Sequence, residues 1–515
     1  MLNTESTTIV QVMDSIGTGR GGLTKATFKR FRQVAEGKRA ILVTVAYQPN
    51  LHQIFSQLKR DGELPPHAEL LSFHDDLRHI RRDRSKPLNK MWTDWEADRN
   101  FASVTESFAE TTIDRFFNAG SFVGLICRGH DRSPRYVDVH DVNRPWLRLC
   151  RDLFWSDGTL ARRDHFDETG QSRYREYIDE SGRTYVSSWV TPAGYEYRTV
   201  EYAADGTATL FKDMRFSNSA WLRRKLAEIG PSVVFTDEPR TTFALEIDSP
   251  LVHHVTTIHV THFKNNQDRT DGLKNWMGHY IQFKQNVSDF VLLTEAQRLD
   301  FIKDAGVPSE HVSVIPHAAP SERSTVTPPH MPTLVSVGRL ADEKRVEDAI
   351  TAFSRHCREI PNVRFKIYGA GPAEERLKNL VSTHDLDGIV TFEGLTKDPL
   401  KAFAEANCSI LSSKYEGFGL VITESFAMGT PVVAYDVIYG ARDLIVNGKN
   451  GLLVGDGDID ALGKSVHDIL TDVTLQARLR SGAVETADKF SEDEWEDTWN
   501  RKITLLSENL QHSRV

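Results

Sequence analysis

Residues 408–436 read CSILSSKYEGFGLVITESFAMGTPVVAYD. An apolar run, CSILSS (408–413), leads through a glycine-containing loop into a helical pattern, LVITESFAMG (420–429), and then into a second apolar run, PVVAYD (431–436). A strand, a helix and another strand in direct succession are typical of a βαβ unit, which joins parallel strands. The stretch therefore predicts a parallel sheet, with the loop KYEGFG at the carboxyl end of a strand.

The same alternation of strands and helices extends upstream. Strands are predicted at TLVSVG (333–338), VRFKIYG (363–369) and IVTFEG (389–394), each followed by a helical pattern. The N-terminal half begins in the same way with TTIVQVMDSI (7–16), and the rhythm resumes over residues 221–318. We therefore expect an α/β protein with two α/β halves, in which ligands bind at the carboxyl ends of the strands.

A different kind of sequence interrupts the N-terminal half. Residues 135–215 contain alternating, aromatic-rich runs punctuated by Asp-Gly and Ser-Gly pairs, which predict antiparallel hairpins and hence an inserted β module. A Ser/Thr/Pro stretch, residues 320–329, indicates a hinge. The predicted parts are a first α/β domain (1–80 and 216–318), the β insert (81–215), a second α/β domain (319–490) and a C-terminal helix (491–515) that packs back toward the first domain.

The composition is that of a soluble globular protein. The 515 residues are 39% hydrophobic and 26% charged, and the net charge of −9 argues against general binding to polyanions. The cysteines show neither CxxC nor zinc spacing, which fits a reducing compartment; they are Cys127, Cys150, Cys357 and Cys408. There is no signal-peptide pattern and no apolar run long enough to span a bilayer. We expect a cytoplasmic protein, at most peripheral to the inner face of the cell membrane.

Two cations follow the predicted strand TLVSVG. Arg339 and Lys344 lie five positions apart in the loop GRLADEKR (338–345), at a strand's carboxyl end. A leaving nucleoside diphosphate carries negative charge, which an arginine fork and a lysine point charge can hold. The alternative is a solvated cluster of loop charges.

The loop of the opening stretch carries two carboxylates. Glu416 precedes Gly417-Phe418-Gly419, and Glu424 follows within the predicted helix. Carboxylates accept hydrogen bonds from sugar hydroxyls, and amides at a helix start suit phosphate or sugar oxygens. The alternative is a capping loop, with Glu416 favourable near a helix N-terminus and Glu424 on a solvated face.

Three further features are less specific. The loop GTGRGG (17–22) joins a strand to a helix and suits a phosphate, but a plain tight turn explains it equally well. His259 and His262 end a predicted strand, and no third metal ligand accompanies them. The Asp-x-Asp pairs at 385–387 and 456–458 fit helix caps and turns. We therefore expect a mechanism that needs no metal.

Taken together, these motifs resemble one enzyme family. GTGRGGLT (17–24), GRLADEK (338–344), EGFGLVITE (416–424) with its two glutamates eight positions apart, and SFAMGTPVVAYD (425–436) are similar to motifs of the retaining family 4 glycosyltransferases. The resemblance implies a GT-B fold, in which two Rossmann-like domains face a cleft: an N-terminal acceptor domain (1–80 and 216–318) and a C-terminal nucleotide-sugar-binding domain (319–490). It also implies transfer of a sugar from a nucleoside diphosphate with retention, without a metal and without a further cofactor.

The resemblance also assigns roles to individual residues. Arg339 and Lys344 hold the diphosphate, Glu416 faces the donor sugar, and Glu424 accepts the ribose hydroxyls. His259, rather than His262, lies near the donor sugar. The implied catalytic set is Glu416, Arg339, Lys344 and His259, and the implied donor-binding set is Gly21, Gly22, Gly417, Phe418, Gly419, Leu420 and Glu424.

Within the family, the early interruption and the β-rich insert resemble the wall teichoic acid α-glycosyltransferases. This implies a UDP-sugar donor (UDP-glucose or UDP-N-acetylglucosamine), a polyol-phosphate acceptor and a homotrimer formed through the insert. Two alternatives remain: the same chemistry on Ser/Thr of a serine-rich protein, and a non-catalytic partner subunit. A basic cluster around the single acid Asp83 is a candidate track for a polyanionic acceptor or else a solvated linker; it comprises Arg78, Arg81, Arg82, Arg84, Lys86 and Lys90.

Overall fold

The computed structural model describes residues 7–18, 22–79, 95, 100–155, 158–264, 271–323 and 331–512. They belong to two compact units, one drawn from residues 1–20 and 35–252 and the other from residues 21–34 and 253–515. Three predicted features fall partly outside the described residues: Gly21, the basic cluster beyond Arg78, and residues 324–329 of the hinge. The predicted domain boundaries remain predictions.

The first unit contains four parallel strands in the order β14-β1-β2-β3. Every residue of the strands β1, β2 and β14 is buried, as their predominantly apolar sequences predict for parallel strands covered on both faces. Their bounds are β1 (Thr8–Met13), β2 (Ala40–Thr44), β3 (Glu69–Ser72) and β14 (Ser232–Thr236), with helices Leu51–Arg60, Phe73–His79 and Met214–Ile229 and a 3₁₀ segment Pro239–Glu246.

The predicted β insert is confirmed as a ten-stranded antiparallel sheet whose strands follow one another in chain order. Its later turns repeat every twelve residues: the turn glycines Gly158, Gly170, Gly182, Gly194 and Gly206 all have φ between 76° and 87°, a range that favours glycine. The strands are β4 (Phe101–Ser107), β5 (Thr112–Asn118), β6 (Ser121–Arg128), β7 (Pro134–His140), β8 (Arg148–Phe154), β9 (Leu160–Phe166), β10 (Ser172–Ile178), β11 (Thr184–Val190), β12 (Glu196–Tyr202) and β13 (Ala208–Asp213).

Charges are paired across the middle of this sheet. Asp138, Arg151, Asp164 and Arg175 lie opposite one another in a row from β7 to β10. Arg151 donates to Asp138 at 2.7 Å from both Nε and Nη2, and Arg175 donates to Asp164 at 2.8 Å. Cross-strand pairs of opposite charge stabilise a sheet and oppose slippage of its register.

Arg78, the described member of the basic cluster, is engaged inside the first unit. Its guanidinium lies 4.3 Å from the ring centroid of Trp155 and within 4.0 Å of Asp75 and Glu180. The prediction that Arg78 belongs to an exposed acceptor track is therefore wrong, because its charge is already compensated by these neighbours.

The second unit holds three parallel strands in the order β17-β16-β15 and a six-stranded parallel sheet in the order β20-β19-β18-β21-β22-β23. The strands are β15 (Val252–Thr257), β16 (Val287–Leu292), β17 (Val312–Val314), β18 (Thr333–Val337), β19 (Arg364–Tyr368), β20 (Val390–Gly394), β21 (Cys408–Leu411), β22 (Val432–Tyr435) and β23 (Gly451–Val454). The helices are Gly22–Val34, Met277–Gln282, Glu295–Ala305, Val346–His356, Glu374–Thr383, Pro399–Ala404, Leu420–Ala427, Ala441–Leu444, Ile459–Thr471, Val473–Asp488 and Glu492–His512.

The C-terminal helix Glu492–His512 packs against the helix Gly22–Val34 of the same unit. Lys29 pairs with Glu492 at 2.6 Å, and the guanidinium of the buried Arg30 lies 5.4 Å from the ring centroid of Trp499. The last helix of the chain thus contacts the helix that follows the glycine-rich loop. Among the described residues, no helix combines the length and apolar character needed to cross a membrane.

Candidate functional site

Two loops meet at the carboxyl end of the six-stranded sheet. One follows β18 and the other follows β21, and these strands are direct neighbours. Lys344, from the first loop, donates from Nζ to Oε1 of Glu416 in the second at 2.6 Å, and the hydroxyl of Ser413 donates to the same oxygen at 2.8 Å. The structure therefore joins a predicted diphosphate-binding cation and a predicted sugar-facing carboxylate in one part-buried ion pair.

Arg345 fastens the two loops together. Its guanidinium donates to the backbone carbonyls of Ser412 and Ser413 at 3.1 Å each and pairs with Asp456. In return, the Ser412 hydroxyl donates to the carbonyls of Lys344 and Arg345 at 2.9 and 2.8 Å. Sequence reasoning missed Arg345; the only available signal was its position directly after Lys344. Its φ of 44° lies in the left-handed region, which is costly for a residue with a Cβ.

Arg339 stands apart from this pair. Its side chain is 67% exposed and pairs with Glu343 of its own loop. The two predicted diphosphate ligands therefore differ in environment, since Lys344 is held by Glu416 whereas Arg339 is open to solvent. An exposed arginine can turn toward a ligand with little loss, because surface ion pairs contribute little free energy.

The glycine loop packs directly against the segment that carries His259. A Cβ atom added to Gly417 would overlap the carbonyl oxygen of His259, so no other residue fits at this point of contact. Gly419 has a φ of 86° and precedes the helix Leu420–Ala427. Phe418 is buried and contacts the ring of His317 edge-on, with the ring centroids 5.5 Å apart. The Phe418 side chain is thus part of the core.

Of the two histidines, His259 is nearer to the glycine loop. Its ring stacks on that of His317, with centroids 5.4 Å apart and planes inclined by 13°. His262 is fully buried, stacks on Tyr439 and lies 3.7 Å from a carboxylate oxygen of Asp304. Both residues follow the end of β15 at Thr257, in a loop rather than in the predicted strand. The geometry favours His259 as the residue near a donor, and this assignment stays a prediction.

Glu424 lies in the middle of the helix Leu420–Ala427, not on the solvated face of the alternative interpretation. Burial raises the pKa of its carboxyl group, and the positive charge of Lys25 partly offsets this effect. Lys25 belongs to the helix Gly22–Val34, so the structure brings the end of the glycine-rich loop toward Glu424. Gly22 is the first residue of that helix, and Gly21 lies outside the described residues. The helix that carries Glu424 begins at Leu420, directly after Gly419.

The Asp-x-Asp pair at 456–458 has structural partners. Asp456 pairs with Arg345, and Asp458 caps the helix Ile459–Thr471 by accepting from the amide of Ala461 at 2.9 Å. Across the described parts of the chain, no group of three or more His, Cys, Asp or Glu side chains is arranged to hold a metal ion. Both carboxylates of the 456–458 pair are therefore engaged in structural contacts, Asp456 in an ion pair and Asp458 in a helix cap.

Comparison with known proteins shows which protein family these two loops resemble. Residues 321–486, which carry both loops, match the family model described as "Glycosyl transferases group 1". This part of the chain is therefore similar to the group 1 glycosyltransferases. Of the whole chain, 95% aligns at 24% identity with 98% of a Staphylococcus aureus protein named poly(ribitol-phosphate) alpha-N-acetylglucosaminyltransferase. A Bacillus subtilis poly(glycerol-phosphate) alpha-glucosyltransferase is also 24% identical over 96% of this chain and 75% of its own.

Solved structures confirm the predicted GT-B fold. The crystal structure of TarM superposes with a TM-score of 0.80 over 97% of this chain and 98% of that one, at 23% identity. A pneumococcal O-GlcNAc transferase, GtfA, superposes with a TM-score of 0.72 over 97% of this chain and 99% of that one, at 16% identity. The match extends over nearly the whole chain, so it includes the antiparallel insert.

The arrangement offers three chemical features. Lys344 and Arg339 supply positive charge, the amides around Gly417 and Gly419 lie at a helix start, and Glu416 is a fixed hydrogen-bond acceptor. Charge that is already fixed in place stabilises a developing negative charge without reorganisation at the moment of reaction. Stabilisation of a developing negative charge is therefore the main chemical contribution that this geometry can make.

Proposed function

We propose that this protein is a retaining glycosyltransferase that moves a hexose or N-acetylhexosamine from a UDP-sugar to hydroxyls of a polyol-phosphate polymer, forming an α-glycosidic bond. The observation that carries the proposal is similarity along almost the entire chain, insert included, to two enzymes named for poly(ribitol-phosphate) and poly(glycerol-phosphate). A structure of TarM holds UDP and α-GlcNAc-glycerol, which supports the donor and acceptor classes.

The proposed roles follow the two loops. Lys344 and Arg339 bind the diphosphate, Glu416 and His259 face the donor sugar, and Glu424 binds the ribose. The Gly22 helix start and the amides of residues 417–420 complete the donor site. The Lys344–Glu416 ion pair at 2.6 Å supports this assignment, because it holds the phosphate and sugar ligands side by side.

A panel experiment tests the proposal. The protein is incubated with UDP-glucose or UDP-N-acetylglucosamine and with poly(ribitol-phosphate), poly(glycerol-phosphate) or a serine-rich peptide, and products are identified by mass spectrometry and by the NMR coupling of the new anomeric proton. We expect an α-linked sugar on one polyol-phosphate. Transfer to the serine-rich peptide alone would instead favour the acceptor class of GtfA, and no transfer at all would favour a non-catalytic subunit.

We also propose that the protein needs no metal and acts at the inner face of the cell membrane as a trimer assembled through the insert. Exposed apolar side chains on the outer strands of the insert support an assembly surface: Leu210 on β13 is 66% exposed and Tyr195, just before β12, is 74% exposed. Light scattering of the wild type and of Leu210→Asp tests the trimer, and turnover in excess EDTA tests the metal independence. Cell fractionation tests the location.

A further inference from the structure

A lysine outside the roles described above lies beside the site. Nζ of Lys274 is 5.0 Å from the ring centroid of Tyr415, the residue that precedes Glu416. The backbone of Lys274 is fixed, because its amide donates to the carbonyl of His262 at 2.8 Å and its carbonyl accepts from the amide of Met277 at 2.9 Å. The cation therefore has a defined position next to the glycine loop.

An isolated β-bridge links the segment that carries Lys274 to the histidine segment. Phe263 and Leu273 form an antiparallel bridge, and the amide of Lys264 donates to the carbonyl of Gly272 at 3.0 Å. A few residues earlier, the backbone of His259 makes the close contact with Gly417. Lys274 is thus anchored to the same two segments that hold Glu416 and His259.

Its charge environment sets Lys274 apart from other half-buried lysines of this unit. Lys344 pairs with Glu416 at 2.6 Å, Lys502 with Asp289 at 2.8 Å and Lys29 with Glu492 at 2.6 Å. For Lys274, burial lowers the pKa, and no carboxylate of the described residues forms an ion pair with it. Cations removed from water are ordinarily paired, so this one is suited to an anion other than the carboxylates of the described residues.

We propose that Lys274 binds a phosphate oxygen in the active site, in addition to Lys344 and Arg339. This inference rests on the proposed function, which provides two sources of that chemistry: the diphosphate of the donor and the phosphodiester of the acceptor. A lysine ammonium suits either source, since it acts as a compact point charge with three donors.

The test compares three variants of the full-length protein. Lys274→Met removes the charge and keeps the apolar stem, and Lys274→Arg keeps a cation. Lys264→Met is the matched control, because Lys264 directly follows the bridge residue Phe263 and has an exposed side chain. Each variant is measured for UDP affinity by calorimetry, for the KM values of donor and acceptor, and for thermal unfolding.

For Lys274→Met we expect roughly a tenfold loss, as for one charged hydrogen bond. If UDP affinity and donor KM weaken, the phosphate is the donor's; if only acceptor KM weakens, it is the acceptor's. Lys274→Arg should recover most of the loss. Lys274→Met that matches Lys264→Met in all binding measurements would overturn the proposal. The UDP affinity also distinguishes failure of this inference from failure of the proposed function. If Lys274→Met weakens UDP binding but the wild type glycosylates no polyol-phosphate, the phosphate-binding role of Lys274 is supported and the proposed acceptor is contradicted.

Discussion

Nζ of Lys344 lies 2.6 Å from Oε1 of Glu416, although 72 residues separate them along the chain. The two side chains come from loops after adjacent parallel strands, β18 and β21, and both are largely removed from water. A part-buried pair of this kind is costly to break on one side only, because the remaining charge loses its partner.

Replacing Lys344 tests whether this pair acts in catalysis. We expect Lys344→Met to lower kcat about 10²- to 10³-fold, because a fixed charge that stabilises the leaving group is lost. Steady-state kinetics with the donor varied will separate kcat from KM. Lys414→Met is the control, since Lys414 lies two residues before Glu416 with an exposed side chain and should retain full activity. A Lys344→Met enzyme with normal kcat and only a raised donor KM would contradict the role.

The pair also predicts strong coupling in a double-mutant cycle. Lys344→Met and Glu416→Gln each disrupt the same contact, so their effects on kcat/KM should be far from additive. The cycle requires the two single variants and the double variant under identical conditions. Additive losses would show that the two side chains act independently in the reaction.

Gly417 should tolerate no side chain. A Cβ at this position overlaps the carbonyl oxygen of His259, and forcing the segments apart costs about 1–3 kcal/mol of unfolding free energy, as overpacking usually does. Chemical denaturation measures that loss, and we expect activity to fall with it because the loop moves away from His259. Gly278→Ala is the matched control: it lies in a helix with open space around it and should leave both properties unchanged.

We expect the forked guanidinium group of Arg345, and not only its positive charge, to stabilise the protein. Arg345→Lys keeps the cation but cannot reach both the Ser412 and Ser413 carbonyls, so we expect a loss of about 1–3 kcal/mol in stability from buried acceptors left unsatisfied. Arg355→Lys, at an exposed pair with Asp460, should cost almost nothing. Equal stability of the two variants would show that Arg345 does not hold the loops together.

Glu424 predicts a pH dependence of stability. Its pKa is raised in the folded protein, so folding favours the protonated carboxyl; this contribution is full below the ordinary value of 4.5 and is lost as pH rises through the folded value. Relative to Glu424→Gln, the wild type should therefore lose unfolding free energy as pH increases from about 4 upward. Parallel denaturation series of the two proteins measure the difference. A difference that is constant with pH would show that the carboxyl group is not buried as described.

The fold was predictable where the chemistry is local. The apolar runs that became β18, β19, β21 and β22 and the turn glycines of the insert all follow from hydrophobic period and backbone preference, which depend on residues close together in sequence. For the site, the sequence predicted only that its residues lie in loops that follow strands. The role of Arg345 was not predicted, because the sequence around a loop arginine does not indicate which backbone carbonyls it will bind. Arg78 was misassigned because its partners Trp155 and Glu180 are distant in sequence.

By itself, the sequence determined the two α/β parts, the hairpin insert and the residue types available at the sheet's carboxyl edge, because periodicity and turn chemistry are encoded residue by residue. Only the tertiary structure decided that Lys344 forms an ion pair with Glu416 and that Arg339 stays exposed. It also decided that Gly417 contacts the backbone of His259 and that Lys274 lies beside Tyr415. These contacts depend on which strands become neighbours, and pairing between distant strands is decided by the packing of the whole core rather than by any local pattern.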